Sequence, residues 1–155
     1  MKSQSYLRRS GWGLLVGLLL TLLAGCQPKP VPSIADQLGR VWQAQTVKEG
    51  DLLVYTLGGS SNVKPGYVNF RLDLSQPGVV KLKDIDGRQL TGTWTVSTDN
   101  RRLLLSGLNP RPTNTDGSID YYIVEVPTAT SLRLERTAES RKTGNSLNQY
   151  GLVPE

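Results

Sequence analysis

The chain has no histidine and only one cysteine among its 155 residues, and these two shortages limit its chemistry. Zinc sites draw most of their ligands from imidazole and thiolate groups, so no zinc site is predicted. A serine or threonine nucleophile would lack the histidine base that most often activates it. Cys26 has no second thiol with which to form a disulfide, so the core alone must stabilise the fold. We therefore expect neither an enzyme nor a cofactor-dependent protein.

Clusters of positive charge are also missing. The formal net charge is +5, but Lys2, Arg8 and Arg9 supply three of these charges and belong to an N-terminal segment that we expect to be removed. The mature chain would then carry +2, with its basic residues dispersed among acidic ones. A nucleic-acid-binding surface would instead concentrate lysine and arginine with interleaved aromatic residues. No nucleic-acid partner is predicted.

No hydrophobic run reaches the length of a transmembrane helix. The run "WGLLVGLLLTLLA", at residues 12–24, is shorter than the roughly 20 apolar residues that span a bilayer. It follows a basic head and ends in small residues, which is the pattern of a secretory signal peptide. The arginine pair in "YLRRSGWG" lacks the positions that follow it in a twin-arginine signal, so general secretion is favoured. Residues 1–25 are interpreted as the signal peptide.

The stretch "LAGC", from Leu23 to Cys26, lies at the end of this run. It resembles the lipobox of bacterial lipoproteins, in which an aliphatic residue and two small residues precede a cysteine. The resemblance implies that Cys26 receives a diacylglyceryl thioether, that cleavage follows Gly25, and that the new amine is acylated, with palmitate as a typical chain. One acyl chain binds a membrane only marginally, whereas two or three hold firmly. Cys26 is therefore predicted to be a lipid anchor, and the membrane a partner.

Residues 26–35 are predicted to be this anchor and a proline-rich spacer, "CQPKPVPSIA". Alternating prolines make such a segment extended and semi-stiff. Gln27 stands where some bacteria place the aspartate that retains lipoproteins in the inner membrane, so the outer membrane is favoured for a Gram-negative source. The segment "QPKPVPSIAD" carries a single acidic residue rather than an acidic-rich surface-export signal. We expect a position in the bacterial cell envelope, facing the periplasm.

After the spacer, apolar residues alternate with polar ones almost everywhere. This period of two is the signature of half-buried strands. Two stretches, "YVNFRLDL" and "LTGTWTVS", show it most clearly. Their inward-facing residues are predicted to be Val68, Phe70, Leu72, Leu74, Leu90, Gly92, Trp94 and Val96.

Turn-forming pairs such as Asp86-Gly87 separate the alternating runs and divide them into eight candidate strands. Short connections favour sequential antiparallel pairing, and about eight strands can close into a barrel. We predict an all-β, antiparallel meander, closed or nearly closed, over residues 36–137, and a loose polar tail at 138–155. The strands are Val41–Lys48, Leu52–Leu57, Tyr67–Leu74, Val79–Lys83, Gln89–Ser97, Arg102–Gly107, Ile119–Val126 and Ser131–Arg136.

The stretches "LGRVWQAQTV", "GTWTVSTDNRRLLLSG" and "YYIVEVPTATSLRLER" follow in the order of an opening strand with tryptophan, a middle hairpin and a closing hairpin. This layout resembles the lipocalin-like domains of small bacterial lipoproteins, and it implies a lipocalin-like barrel. Gly39 and Trp42 have the spacing GxxW, whereas the lipocalin signature is GxW. The resemblance therefore leaves open whether the barrel encloses a cavity.

Two sets of candidate site residues follow. A carrier would surround an apolar space, open at the "LGGSSNVKPG" end (residues 57–66), with Trp42, Phe70, Leu72, Trp94 and Tyr122. The alternative places the two tryptophans in a filled core. In "NTDGSID", side-chain oxygens at alternate positions suit calcium, although Asp-Gly is also an ordinary turn signal. These oxygens belong to Asn114, Asp116, Ser118 and Asp120.

The sequence thus predicts a lipid-anchored envelope protein that binds a small apolar ligand or an envelope protein. The alternative is a structural, assembly or inhibitor-type lipoprotein with a filled core and no small ligand. An interior cavity of roughly 300 Å³ or more would favour the first function over the second.

Overall fold

The computed structural model describes residues 30–155, so the predicted signal peptide, lipobox and Cys26 lie outside the described residues. Within residues 32–155, one short helix and two 3₁₀ helices accompany nine strands. No helix among the described residues is long and apolar enough to cross a membrane. The elements are α1 (Ile34–Leu38), β1 (Val41–Glu49), β2 (Leu52–Thr56), η1 (Pro65–Asn69), β3 (Arg71–Gln76), β4 (Val79–Lys83), β5 (Gln89–Val96), β6 (Arg102–Asn109), β7 (Ile119–Ile123), β8 (Leu132–Arg136), η2 (Arg141–Thr143) and β9 (Asn148–Pro154).

All the strands belong to one antiparallel sheet in the order β2-β1-β3-β4-β5-β6-β7-β8-β9, and β1 also pairs with β9. The β1–β9 pairing closes eight strands into a barrel, with β2 as an additional strand. β1 pairs with β3 through its first residues, such as Trp42 with Leu72, and with β2 through its last, such as Glu49 with Leu52. The predicted all-β antiparallel barrel is confirmed.

β9 is the strand that the sequence analysis missed. It pairs with β8 on one side and with β1 on the other, and it contributes Tyr150 and Leu152 to the core. The prediction that residues 138–155 form a loose tail, and that the barrel ends at residue 137, is therefore wrong. Without β9 the sheet would have two unpaired edges, whereas closure removes them.

The edge of β2 is covered by the segment at residues 57–66 rather than left open. The side chain of Asn62 accepts a hydrogen bond from the Thr56 N–H at 2.8 Å and donates one to the Thr56 carbonyl at 2.9 Å. The Lys64 N–H donates to the Val54 carbonyl at 3.0 Å. The segment thus satisfies backbone groups that an exposed edge strand would offer to another chain.

We call the end of the barrel that carries α1 the sealed end. Ser33 and Asp36 form a capping box that starts the helix, and Leu38 at its end is fully buried. The Trp42 indole N–H donates to the Leu38 carbonyl at 2.9 Å. The Arg40 guanidinium lies over the Trp42 ring, 5.3 Å from its centroid. These contacts place an apolar plug across this end.

Large apolar side chains fill the middle of the barrel. Trp42, Leu72, Leu103 and Leu105 are all 0% exposed, so the interior is packed with the protein's own side chains. Gly92, predicted to face inward, does not leave room for a ligand. A Cβ atom there would lie 2.5 Å from the Ser106 carbonyl oxygen, because β5 and β6 approach closely at an irregularity in their register.

Two residues predicted to point inward are exposed instead. Val68 was predicted to point inward, but it is 54% exposed because η1, begun by Pro65, replaces the start of the predicted strand. A 3₁₀ helix aligns residues three apart, so Tyr67 and Phe70 are the buried pair. Tyr122 is 50% exposed, and its neighbour Tyr121 faces the core.

Candidate functional site

The end of the barrel opposite α1, which we call the mouth, contains a pocket of about 130 Å³. The pocket is lined by residues from η1 and the residue after it, the β4–β5 turn, the β6–β7 loop, the β8–β9 segment and the start of β9. We call this space the mouth pocket. It combines an aromatic floor, a buried amide and a rim of charged residues.

Four rings form the floor of the mouth pocket, with Tyr150 at their centre. Phe70 stacks on Tyr150 at 5.0 Å between ring centroids, and Tyr121 meets it edge to face at 5.8 Å. Tyr67 approaches it edge to face at 6.3 Å. These are the offset and T-shaped arrangements that aromatic pairs favour. The floor therefore presents both ring surface and phenol hydroxyl groups.

The side chain of Asn148, 1% exposed, organises the hydroxyl groups beneath the pocket. Its Oδ1 accepts hydrogen bonds from Thr143 Oγ1 at 2.9 Å and from Ser146 Oγ at 2.8 Å. Its Nδ2 donates to the hydroxyls of Tyr67 and Tyr150 at 3.4 and 3.3 Å. A single buried amide thus links η2 and β9 to the aromatic floor, and its donors and acceptors are used as a buried polar group requires.

Tyr67 connects the floor to a partly buried ion pair. Its hydroxyl donates to Glu49 Oε1 at 2.8 Å, and the other oxygen of Glu49 forms a salt bridge with Lys64. Burial of the ring, followed by the hydroxyl of Tyr150 and the carboxylate of Glu49, raises the pKa of Tyr67 well above its usual range. The phenol therefore remains a neutral hydrogen-bond donor.

Burial also raises the pKa of Tyr121 and of Tyr150 above the ordinary value. Two neighbouring groups, Arg136 and Asn148, partly offset this rise in pKa. Arg136 lowers both pKa values through its positive charge, and the hydrogen bond with Asn148 lowers that of Tyr150. Arg136 is therefore close enough to act electrostatically on the floor of the mouth pocket.

Some charged residues of the rim form salt bridges and others do not. Lys142 forms salt bridges with Asp84 at 2.6 Å and with Asp86 at 2.8 Å, and these bridges tie η2 to the β4–β5 turn. The hydrogen bond from Lys142 is the largest of the effects that hold the pKa of Asp86 below its usual range. Arg88 and Arg136 also line the pocket, and the Nε–H group of each is buried without an acceptor among the described residues.

A second, wider depression of about 580 Å³ lies outside the sealed end, between α1 and strands β3 and β5. Leu74, Trp94 and Val96 line it together with polar backbone and turn residues. Trp94 is only 6% exposed, and its indole N–H donates to the Gln76 carbonyl at 3.1 Å. This groove is therefore an open surface beside the plug and not an entrance to the interior.

The five residues predicted to surround a ligand do not share one space. Trp42 and Leu72 are fully buried in the packed interior, Trp94 lies at the sealed end, and Tyr122 faces outward. Phe70 alone lines the mouth pocket. Val124 and Val126, which continue the alternation of Tyr122 beyond the end of β7 at Ile123, are exposed as well.

The predicted calcium residues form a polar turn beside the mouth. Asp116 Oδ1 accepts a hydrogen bond from the Ser118 N–H at 2.9 Å, as aspartate does in a turn. Asp120 forms a salt bridge with Arg102, with 3.9 Å between Asp120 Oδ2 and Arg102 Nη1. Asn114 has a positive φ of 56°. Among residues 30–155, no three histidine, cysteine, aspartate or glutamate side chains are grouped as metal ligands.

Most residues of the mouth pocket were not predicted from the sequence. Tyr67 was assigned to a strand, Tyr122 was chosen as a lining residue in place of Tyr121, and Asn148 and Tyr150 were assigned to a loose tail. A signal was available, because Asn148, Tyr150 and Leu152 alternate with other residues at a period of two.

Comparison with known proteins leaves the family open. No protein-family model matches the chain, and no curated protein matches it either. A lipocalin-like protein from Bacteroides uniformis has a similar structure, with a TM-score of 0.45 and 16% identity over 77% of this chain and 99% of its own. An uncharacterized protein from Bacteroides eggerthii has a TM-score of 0.44 and 12% identity over 75% of this chain and 98% of its own.

Proposed function

We propose that the protein is a lipid-anchored, non-catalytic lipoprotein of the bacterial cell envelope that binds a small molecule at the mouth pocket. The observation that supports this function is the change in packing along the barrel. Apolar side chains fill the interior up to the floor of Tyr150, and above that floor polar and charged groups converge on about 130 Å³. Ligand sites combine ring surface with a few converging polar groups, and the size of the mouth pocket restricts its ligand to a small molecule.

The proposed anchor at Cys26 would hold the protein at an outer membrane, facing the periplasm.

A carrier of a large apolar molecule is a less suitable function. Its ligand would need roughly 300 Å³ inside the barrel, and the mouth pocket measures about 130 Å³. The filled interior favours a second candidate, a structural or assembly lipoprotein that uses its loops to contact an envelope protein and binds no small molecule.

Native mass spectrometry distinguishes the two candidates. The protein would be extracted from its own membrane in a non-ionic detergent and examined for a retained small molecule. Thr113→Trp changes an exposed residue of the pocket wall and would obstruct the opening. Thr91→Trp adds the same ring to an exposed position on β5 and is the matched control. A molecule lost only from Thr113→Trp supports binding at the mouth; no retained molecule in either protein favours the structural role.

The anchor is tested separately. Cys26→Ser removes the sulfur that would form the thioether, so metabolic labelling with an alkyne fatty acid is expected to disappear and the protein to leave the membrane fraction or remain unprocessed. Labelling and fractionation like those of the unchanged protein would contradict the lipoprotein assignment without affecting the mouth pocket.

A further inference from the structure

Two arginines of the mouth pocket have buried donors that no protein group accepts. The Nε–H groups of Arg88 and Arg136 are buried and have no hydrogen-bond partner among the described residues. Neither guanidinium takes part in the ion pairs of residues 30–155. A buried charged donor without a partner is costly, and it is normally compensated by an opposite charge or a hydrogen bond.

A third arginine shows that these two are unusual. Arg40, at the sealed end, also has a buried Nε–H without an acceptor. However, its Nη1 donates to the Ala129 carbonyl at 2.6 Å, and its guanidinium lies over the Trp42 ring at 5.3 Å. Arg40 therefore has contacts that compensate its charge. At the mouth, the arginines border a pocket instead.

The other charges at the mouth balance Arg88 and Arg136 only in part. The charge of Arg88 acts on Asp86, but Asp86 forms its salt bridge with Lys142. Asp84 is engaged by Lys142, which also binds Asp86. Glu139 and Arg141 line the pocket as exposed side chains of opposite charge. The charged residues that line the pocket are four cations and two anions, so an excess of positive charge faces it.

Building on the proposed function, we propose that the mouth pocket binds a small organic carboxylate that carries a ring. The carboxylate oxygens would accept hydrogen bonds from Arg136 and Arg88, since a guanidinium matches a planar carboxylate in two parallel bonds. The ring would lie against Tyr150 and its neighbours in the floor. A volume of about 130 Å³ is of the order of an apolar cavity that holds benzene.

The test is titration of the full-length protein, in a non-ionic detergent, with benzoate as the probe. Benzamide has the same ring and nearly the same shape but no charge, and inorganic phosphate has charge but no ring. Calorimetry would measure tight binding, and ligand-observed NMR would detect binding in the millimolar range. We expect benzoate to bind about tenfold or more tightly than benzamide, because hydrogen bonds to a charged group are stronger than neutral ones.

Substitution then identifies the side chains that bind the carboxylate. Arg136→Gln and Arg88→Gln are each expected to weaken benzoate about tenfold while leaving benzamide nearly unchanged. Arg133→Gln is the matched control, because Arg133 lies on the same strand as Arg136 and its side chain is 64% exposed in a salt bridge with Glu125. Thermal unfolding of each variant would show that it remains folded.

Three outcomes would overturn the proposal. They are equal binding of benzoate and benzamide, benzoate binding that neither arginine substitution weakens, and phosphate binding more tightly than benzoate. A neutral molecule retained at the mouth in the native mass spectra, with no benzoate binding, would overturn the carboxylate but leave the proposed function intact. If no molecule is retained and no probe binds, both are wrong.

Discussion

The two ends of the barrel differ in what closes them. At the sealed end, α1 buries Leu38 and the Trp42 indole donates to its carbonyl, so apolar surface and backbone groups make the closure. At the mouth, Asn148 and three tyrosines make a network of side-chain hydrogen bonds and ring contacts. An apolar plug stabilises without selecting a ligand, whereas a polar end can bind one through directed groups.

The two ends of the barrel should therefore contribute to different properties, one to stability and the other to binding. Substitutions at the sealed end and in the interior should change mainly the free energy of unfolding. Substitutions in the mouth rim should change mainly binding, because long connections on a rigid barrel are where function is usually found. β9 joins the two ends, since its first residues pair with the end of β1 and its last residues with Trp42.

The largest loss of stability is expected from the deletion of β9. Deletion of residues 148–155 takes Asn148 from the mouth and Tyr150 and Leu152 from the core, and it leaves unpaired edges on β1 and β8. We expect no cooperative unfolding transition by circular dichroism. Deletion of Glu155 alone is the control, and it should leave a cooperative transition. A folded truncated chain would show that β9 is dispensable.

Trp42→Ala should cause the next largest loss of stability, because it leaves a cavity at the sealed end. The ring is 0% exposed and its N–H is hydrogen-bonded, so the free energy of unfolding should fall by about 3–5 kcal/mol, measured by denaturant titration. Trp42→Phe keeps a ring and should cost less. A loss below about 0.5 kcal/mol for Trp42→Ala is the scale of a surface substitution and would contradict the plug.

The sequence predicted the barrel because one physical rule, period-two alternation, controls most strands. Leu90 and Trp94, for example, are buried on the predicted face of β5. It also predicted the sequential meander, since short turns leave few other pairings. The charged, proline-containing connections do not disturb this pattern, because they lie between the alternating runs.

The mouth could not be predicted in the same way, because partners distant in the chain create it. Tyr67 and Asn148 are 81 residues apart, and no local pattern joins them. η1 changes the phase of the chain before β3, which hides Tyr67 from a strand-based alternation. The buried donors of Arg88 and Arg136 depend on three-dimensional burial, and the sequence shows them only as two dispersed basic residues.

Asn148→Leu should have an intermediate effect and perturb the mouth selectively. The substitution keeps a side chain of similar size but removes the four hydrogen bonds of the amide, two of them to tyrosine hydroxyls. The hydroxyls of Thr143 and Ser146 keep backbone acceptors, so we expect the lost bonds to cost about 1–3 kcal/mol in total. Chemical unfolding would measure the loss. Gln149→Leu, at the exposed neighbouring position, is the control. Equal stability of the two variants would indicate that the network contributes nothing.

The smallest effect at neutral pH is expected from Tyr121→Phe, and it should grow in alkali. In the unfolded chain a tyrosine ionises near pH 10, whereas burial raises the pKa of Tyr121 in the folded chain. The stability of the neutral phenol is therefore fully present below about pH 10 and is lost as the pH rises above it.

Replacing Tyr121 with phenylalanine removes its contribution to the loss of stability in alkali, because phenylalanine does not ionise. Each pH unit above 10 should destabilise the unchanged protein relative to Tyr121→Phe by up to about 1.4 kcal/mol, measured by denaturant titration at pH 9, 10 and 11. Tyr122→Phe is the control, since Tyr122 lies on the next residue of β7 and faces outward. Parallel curves for the unchanged protein and both variants would mean that Tyr121 is accessible to solvent, and that the mouth is less tightly closed beneath its rim than its aromatic floor implies.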